Sequence, residues 1–110
     1  MKNPKYEVFK STANGQYYFH LTAANGEKIL SGEGYTTRQH CMLGIASVVV
    51  NAKACGRFER HDAYFSYTFN LKAANGEIIG RSENYVSEAG RERGIAAVKQ
   101  HCTADVVYRD

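Results

Sequence analysis

Within residues 16–24, apolar residues that are identical in the two halves of the chain occupy every second position from Tyr17 to Ala23. Side chains on a strand point to opposite faces in turn, so this spacing predicts a strand with one buried face. The residues on that face are Tyr17, Phe19, Leu21 and Ala23. The same alternation returns at Tyr67, Phe69, Leu71 and Ala73. The chain therefore contains two copies of one strand pattern.

The two copies belong to a longer internal repeat. A constant offset of about fifty residues aligns the two halves without a gap, which is typical of a duplicated folding unit. Further identical pairs include Asn25 and Asn75, Glu27 and Glu77, Glu33 and Glu83, Tyr35 and Tyr85, and Gly44 and Gly94. We assign the units to residues 5–56 and 57–110. A chain of 110 residues is too short for two independent cores, so we expect a single domain, residues 1–110, with a shared core.

An Asn-Gly pair in each unit predicts a tight hairpin, because these residues tolerate the positive φ of such turns. A two-residue turn would place Leu21 opposite Leu30, whose counterpart in the second unit is a glycine. A three-residue loop with Gly26 in the left-handed conformation would place Leu21 opposite Ile29, which is isoleucine in both units. We predict the three-residue loop and the Leu21–Ile29 pair.

A helix follows the third strand of each unit, which we place near residues 29–34. Thr36 or Thr37 can cap the first helix, and Ser87 is the counterpart of Thr37. We expect the first helix to end at about Ala52. Its buried face follows helical spacing at Ile45, Val48 and Ala52, matched by Ile95, Val98 and Cys102.

Glycine lies inside both predicted helices, at Gly44 and Gly94. Glycine costs about 1 kcal/mol relative to alanine in a helix interior. Its presence in both units therefore predicts that the helix backbone closely approaches the sheet or the other helix.

Three short segments align more weakly at the same offset, and each is typical of a strand. They are residues 6–10, 56–60 and 106–110. The middle segment would finish the first unit and begin the second. The element order is then β-β-β-α-β followed by β-β-α-β, which predicts an α+β fold with one antiparallel sheet and two helices on one face.

The chain resembles the YegP-like family in two segments, FHLTAANGEKILSGEGYTTRQHCMLGIASV and YTFNLKAANGEIIGRSENYVSEAGRERGIAAV. This family groups small bacterial proteins classed as a domain of unknown function. The resemblance covers nearly the whole chain, and it implies tandem β3-α-β units in which the C-terminal strand of each unit is exchanged into the other. It implies no reaction, ligand or catalytic residue. The chain departs from the family pattern mainly at Met42 and Leu43, which replace polar residues.

The net charge of +3 is mild, and the basic residues are scattered among acids, so no basic run marks a nucleic-acid-binding arm. The start, MKNPKYEVFK, has no apolar export-signal segment, and no apolar run reaches the length of a membrane span. We therefore expect a cytoplasmic protein without membrane attachment. The three cysteines, Cys41, Cys55 and Cys102, form no CxxC pair and are interpreted as reduced thiols.

The neighbouring pairs His40-Cys41 and His101-Cys102 raise the hypotheses of a metal site or a cysteine nucleophile. Adjacent helical residues point in different directions, and neither pair recurs in the other unit, which favours small buried cysteines. The sequence contains no Ser-His-Asp order, phosphate loop or dinucleotide fingerprint. We therefore expect no metal, no cofactor and no enzymatic activity, and we keep a small enzyme as a second alternative.

Glu33 and Glu83 are identical acids outside a turn, and two such carboxylates could perform acid-base chemistry. The alternative is a local contact with backbone N–H groups or with a neighbour such as Arg38 or Arg81. We favour the local contact.

The second face of the sheet is less constrained between the units and is expected to meet solvent. Its residues, here called the sheet-face set, are Tyr18, His20, Thr22, Thr68, Asn70 and Lys72. Phe9 or Tyr6 could join them. Aromatic and cationic side chains on a sheet can stack nucleic-acid bases, so a nucleic-acid-binding protein is the first alternative.

The two helices differ at four positions that carry polar residues in the second unit, Glu92, Arg93, Lys99 and Gln100. The first helix carries Met42, Leu43, Val49 and Val50 there, which we call the helix-1 patch. Exposed apolar patches often mark interfaces, whereas unequal packing of the two helices would make these residues extra core. Our leading hypothesis is a non-enzymatic binding module, monomeric by expectation, with a protein partner or weak self-association through helix 1.

Overall fold

Seven strands and two helices follow one another in the order that the repeat predicts. The computed structural model describes residues 3–109. The elements are β1 (Lys5–Lys10), β2 (Tyr17–Thr22), β3 (Lys28–Gly32), α1 (Arg38–Lys53), β4 (Phe58–Ala63), β5 (Ser66–Lys72), β6 (Ile78–Arg81), α2 (Glu88–His101) and β7 (Asp105–Arg109). The predicted third strand is shorter than expected, and the fourth is shifted toward Ala63. The predicted end of the last strand, Asp110, lies outside the described residues.

All strands belong to one sheet with the order β4-β5-β6-β3-β2-β1-β7. The two units meet where β3 pairs with β6, with Ser31 opposite Arg81 and Gly32 opposite Gly80. Ser31 and Arg81 are counterparts in the repeat. An internal two-fold axis therefore passes between these two residues.

The strand that follows each helix lies in the half of the sheet opposite to the three strands that precede that helix, as the exchange implied by the family resemblance requires. β4 follows α1 but pairs with β5 in the second half, and β7 follows α2 but pairs with β1 in the first half. The β1–β7 pair is parallel, whereas the other pairs are antiparallel. The prediction of a wholly antiparallel sheet was therefore wrong at this edge.

The internal axis explains the parallel pair. The axis relates the position of β4 to that of β1. A strand that followed α2 in the same way that β4 follows α1 would therefore lie at the position of β1 and run in the same direction as β1. The start of the chain already fills that position with β1. β7 therefore joins the outer edge of β1 and keeps the same direction.

The first hairpin closes through the predicted three-residue loop. Ala23 donates a backbone hydrogen bond to Glu27 at 2.9 Å, and Gly26 donates one to Ala23 at 2.9 Å. Gly26 has a φ of 85°, the left-handed value that favours glycine here. The second hairpin repeats these bonds.

The predicted Leu21–Ile29 pair was wrong, because a bulge shifts the register beyond the loop. Thr22 lies opposite Lys28 as the loop requires, but Leu21 lies opposite Leu30. Ile29 is the extra residue of the bulge. Ile29 and Leu30 are both buried in the core, which a regular strand would not allow for neighbouring residues.

Both helices pack on one face of the sheet and form the shared core with it. From the strands, the most buried apolar residues are Tyr6, Val8, Phe19, Leu21, Leu30, Phe69 and Leu71. From the helices they are Cys41, Ile45, Val48, Ala52, Ile95, Val98 and Cys102. The helix-facing residues expected from the sequence are all among them, so the helical periodicity identified the correct face.

The helices begin as predicted, with Thr37 and Ser87 as N-caps. The interpretation of the helix glycines needs correction, because a tyrosine side chain fills the space beside each one. A Cβ at Gly44 would lie 2.2 Å from the Tyr35 hydroxyl, and one at Gly94 would lie 2.4 Å from the Tyr85 hydroxyl. Each tyrosine forms a β-bridge with a sheet strand, Tyr35 with Tyr17 and Tyr85 with Tyr67, so the helix backbone approaches a side chain that is attached to the sheet.

Candidate functional site

The helix-1 patch divides into exposed and half-buried residues. Leu43 is 62% exposed and Val50 is 67% exposed. Val49 is half-buried, and Met42 packs against the core. Only Leu43 and Val50 therefore present most of their surface to solvent, with the exposed Ala46 between them.

The sheet-face set lies on the face without helices, but it does not form an open platform. His20 is only 7% exposed and Thr22 only 5%, so the expectation of free contact with solvent was wrong for these two. Neighbouring strands bury them, since Thr22 donates a hydrogen bond to the Lys5 carbonyl at 3.3 Å and Phe9 packs on His20. The other members, Tyr18, Thr68, Asn70 and Lys72, are half-buried.

Phe9 organises the first half of this face. Its ring centroid lies 6.1 Å from that of Tyr18 and 5.3 Å from that of His20, and Arg109 lies over the ring at 5.1 Å. Tyr6, the other aromatic residue considered for this face, is buried in the core. Burial lowers the pKa of His20, although the Glu7 carboxylate at 3.4 Å favours its protonated form.

The second half of this face is a network of charged and polar groups. The Glu59 carboxylate accepts hydrogen bonds from Lys72 and from His61, the latter at 2.8 Å. These bonds, that of Lys72 first, lower the pKa of Glu59 to about 2. Asn70 lies 3.4 Å from His61. Lys72, the residue expected to attract nucleic acid, is therefore already paired with a carboxylate.

The remaining candidates are local contacts or buried thiols. Arg81 donates to Glu33 at 3.0 Å, which is one of the two local pairs predicted for this acid. Cys41 and Cys102 are buried and Cys55 is exposed. Burial raises the pKa of Cys41 to about 11, which leaves this thiol protonated at neutral pH. Within residues 3–109, no three His, Cys, Asp or Glu side chains lie close enough together to hold a metal ion.

No helix in the described part of the chain is long and apolar enough to cross a membrane.

A groove of about 380 Å³ separates the first hairpin from α2. Its polar lining includes Asn25, Glu27, Tyr85 and Arg93. Burial raises the pKa of Tyr85. The ionisable side chains among the lining residues are those of Glu27, Tyr85 and Arg93.

Sequence reasoning missed two features that depend on the tertiary structure. The first is an exposed turn in which the rings of Tyr64 and Phe65 lie 4.2 Å apart, with Phe65 at a φ of 58°. The second is a cleft of about 220 Å³ at the end of β1, whose lining includes Lys10, Tyr17 and Arg38. The sequence held one signal of the cleft, since the counterpart of Arg38 is the acid Glu88.

The fold and these sites can be compared with known proteins. A family model described as a domain of unknown function, DUF1508, matches residues 13–59 and 66–108. A UPF0339 protein of Photorhabdus laumondii is 52% identical over 50 residues, which cover 46% of this chain and 44% of that protein. The UPF0339 protein YegP of Yersinia pestis is 42% identical over 65 residues, which cover 54% of this chain and 57% of that protein. In these matches the chain spans about half the length of the relatives.

A shorter relative and a solved structure extend the comparison. A UPF0339 protein of Treponema denticola is 44% identical over 48 residues, which cover 44% of this chain but 81% of that protein. One unit of this chain therefore corresponds to most of that relative. The solution structure of the protein of unknown function yegP from E. coli superimposes with a TM-score of 0.88 at 40% identity. It covers 99% of this chain and 95% of that chain.

Proposed function

The chain belongs to the family of the domain of unknown function DUF1508, and we propose that it is a small non-enzymatic binding module that contacts a partner protein through α1. The observation that carries the proposal is the exposure of Leu43 and Val50 at positions where α2 carries Arg93 and Gln100. In the second unit, α2 folds in the same way with polar residues at these positions. The fold therefore tolerates polar residues at these positions, which supports contact with another molecule as the role of the apolar residues of α1.

The exposed apolar residues of α1 form a continuous ridge. Leu43, Ala46 and Val50 are all exposed and follow one another at i, i+3 and i+7, so they lie on one side of the helix. Helices that dock on protein surfaces use this spacing for their anchor residues. We call these three residues the α1 ridge.

The charges of α1 indicate the chemistry of the partner. The helix contains no Asp or Glu, and its charged residues are Arg38 at the start and Lys53 at the end. Opposite charges at the rim of an interface speed association and fix its orientation. The partner surface that fits is therefore apolar at its centre and acidic at its rim.

The sheet face receives less support as the contact surface. Three of its cations are paired with acids, Lys72 with Glu59, Arg81 with Glu33, and Arg109 with Glu7. A surface that binds nucleic acid needs basic side chains that are free to neutralise phosphates. The pairing therefore favours the α1 ridge over the nucleic-acid alternative.

The experiment compares three forms of the full chain. The test variant Leu43→Arg/Val50→Gln gives α1 the residues of α2, and the control variant Arg93→Ala/Gln100→Ala removes the equivalent side chains of α2. Proteins captured from native lysate by the wild type and by the control are then purified and measured for direct binding. We expect the test variant to bind at least about tenfold more weakly, with its melting temperature within a few degrees of the wild type.

Other outcomes would overturn the proposal. Direct binding that is equal for all three forms would exclude the α1 ridge as the contact. A wild-type dimer that the test variant converts to monomer would identify a second copy as the occupant. Salt-dependent binding of a single-stranded oligonucleotide that Lys72→Ala weakens would favour the nucleic-acid alternative.

A further inference from the structure

The two edge strands of the sheet differ in the side chains that they carry. β4 and β7 are these strands, and one side of each has no partner strand among residues 3–109. In β4, residues 59–62 are Glu, Arg, His and Asp, so four consecutive positions are charged or titratable. Charged side chains discourage an edge strand from pairing with another chain. β7 has charged residues only at its two ends, so its edge lacks this protection.

The middle of β7 is apolar and suited to strand pairing. Its residues Val106, Val107 and Tyr108 are of the types enriched in strands. Val107 is 44% exposed and Tyr108 is 45% exposed. An edge strand presents a row of unpaired backbone N–H and C=O groups, which another extended strand can join. The outer edge of β7 is therefore a surface that fits a strand.

The order of side chains along β7 indicates which strand fits. Residues directly opposite each other in an antiparallel pair share a face, where opposite charges stabilise the pair and like charges destabilise it. Consider a second β7 placed antiparallel to the first, with Val107 opposite Val107. Asp105 then lies opposite Arg109, and Val106 lies opposite Tyr108, twice each. β7 is therefore complementary to itself in charge and in apolar character.

The contacts of β7 within the chain show which face each side chain takes. Arg109 lies over the Phe9 ring on the face without helices, whereas Tyr108 lies under Arg38 of α1 on the helix face. Side chains alternate along a strand, so Val107 shares the face of Arg109. A two-fold axis normal to the sheet keeps the helices of both copies on one side. Both charged pairs would then lie on the face without helices.

We propose that β7 pairs antiparallel with β7 of a second copy of this chain, about a two-fold axis at Val107, so that the two sheets become one. Both copies use the same surface, and the dimer is closed. A register shifted by two residues would place Val107 opposite Asp105 or Arg109 and separate these charges from each other. Two five-residue strands bury much less than the roughly 1,600 Å² of a standard interface, so the dimer is weak and depends on concentration.

The test is sedimentation equilibrium of the full chain from about 10 µM to about 1 mM, a range that covers weak association. We expect a reversible monomer–dimer equilibrium for the wild type. Val107→Lys places two like charges opposite each other at the axis and should weaken association at least about tenfold. The matched control is His61→Lys, which adds the same charge at an exposed position of the other edge strand. It should leave association within about twofold of the wild type.

A pair of charge variants tests the register. Asp105→Lys and Arg109→Glu each place like charges opposite one another in a dimer of identical chains, so each should weaken association at least about tenfold. In an equimolar mixture, the two variants present opposite charges to each other at both positions. Association in the mixture should therefore return to within about threefold of the wild type. Melting temperatures confirm that each variant is folded, and Val107→Lys gives the answer if one charge variant is not.

Four outcomes would overturn the proposal. The first is a wild type that stays monomeric over the whole concentration range. The second is a mixture of the folded charge variants that associates no better than either alone. The third is an equal loss in Val107→Lys and His61→Lys, which would make net charge or β4 responsible. The fourth is dissociation of the dimer by Leu43→Arg/Val50→Gln, which would assign self-association to the α1 ridge.

Discussion

Leu30 fills the space that a side chain at position 80 would need, and Gly80 leaves that space free. A Cβ at Gly80 would lie 2.8 Å from the Leu30 side chain. The two positions are counterparts in the repeat, and the internal axis between Ser31 and Arg81 brings them together. Only one of the two can therefore carry a large side chain. The difference between the units at this position is a requirement of packing at the axis.

This relationship predicts a compensating pair of substitutions. Gly80→Leu should destabilise the chain by about 1–3 kcal/mol through overpacking, and Leu30→Gly by about 2–5 kcal/mol or more through the cavity it leaves. The double variant Leu30→Gly/Gly80→Leu moves the side chain across the axis and should be more stable than the sum of the single effects indicates. Urea unfolding of the four forms measures the coupling. Strict additivity would mean that the two residues do not share one space.

The tyrosine beside each helix glycine predicts a cost for adding a single methyl group. Gly44→Ala should destabilise by about 1–3 kcal/mol, although alanine is the better helix former by about 1 kcal/mol. Tyr35→Phe removes the hydroxyl that lies closest, so the Gly44→Ala penalty should be smaller in that background. Thermal unfolding of the single and double variants tests this. A higher melting temperature for Gly44→Ala alone would show that the helix has room at this position.

The buried His20 predicts a loss of stability in mild acid. Burial holds its pKa below the ordinary value of about 6.5, so the unfolded chain binds a proton at a higher pH than the folded chain. Stability should therefore fall as the pH decreases below about 6.5, with a slope of at most about 1.4 kcal/mol per pH unit from this group. Urea unfolding at pH 7.5 and 5.5 measures the loss. His20→Asn, which copies Asn70, should reduce it, and an increase in wild-type stability at pH 5.5 would mean that Glu7 outweighs burial.

Arg91 is almost completely buried, although it contacts acids at the surface. Its side chain is 2% exposed, donates to Glu92 at 3.0 Å and to Asp62, and lies over the Tyr67 ring. Without Arg91 these acids would still be hydrated at the surface, so losing the ion pairs should cost little free energy of unfolding. The packing of the Arg91 side chain should therefore be its main contribution to stability. Arg91→Ala should therefore cost about 2–3 kcal/mol, and Arg91→Met less than about 1.5 kcal/mol. Equal losses in the two variants, measured by urea unfolding, would assign the stability to the ion pairs.

The turn between β4 and β5 predicts a stabilising substitution. Phe65 has a φ of 58°, a left-handed conformation that costs a residue with a Cβ about 1–2 kcal/mol. Phe65→Gly should raise the stability by up to about 1 kcal/mol, since part of the gain is lost to the greater freedom of glycine when unfolded. The reciprocal control is Gly15→Phe, because Gly15 has a φ of 73° in the turn between β1 and β2, and a phenylalanine there should introduce a similar strain. Unchanged melting temperatures in both would show that the turns relax.

Local patterns in the sequence predicted the elements, because alternation and helical spacing report which face of each element is buried. Thr37 and Ser87 begin the helices where a hydroxyl cap was expected. The predicted pairing of Leu21 with Ile29 was wrong because a bulge is decided by packing against the helices. The alternation of residues along a strand does not contain that information. The same limit applies to Gly44, whose neighbour Tyr35 is placed by tertiary structure.

The candidate surfaces show the same division. Comparison of the two helices identified positions 43 and 50, which are exposed, together with Met42 and Val49, which are substantially covered. Helical spacing alone cannot tell the exposed residues from the covered ones, because the burial of each position also depends on the part of the sheet that each helix borders. The contact of Arg109 with Phe9 and Glu7 was not predicted, since Arg109 reaches β1 only through the exchange of β7.

The pairing of β1 with β7 also sets the time at which the protein can complete its fold in a cell. Lys5 lies opposite Asp105, so the outer edge of the first strand has no partner until nearly the whole chain has been translated. At about 5–20 residues per second, the ribosome needs about 5–20 s to synthesise the intervening segment. During that interval, the nascent chain exposes an unpaired strand edge to its neighbours on the polysome. The charged residues of β1, Lys5, Glu7 and Lys10, discourage pairing of this edge with other nascent chains during that interval.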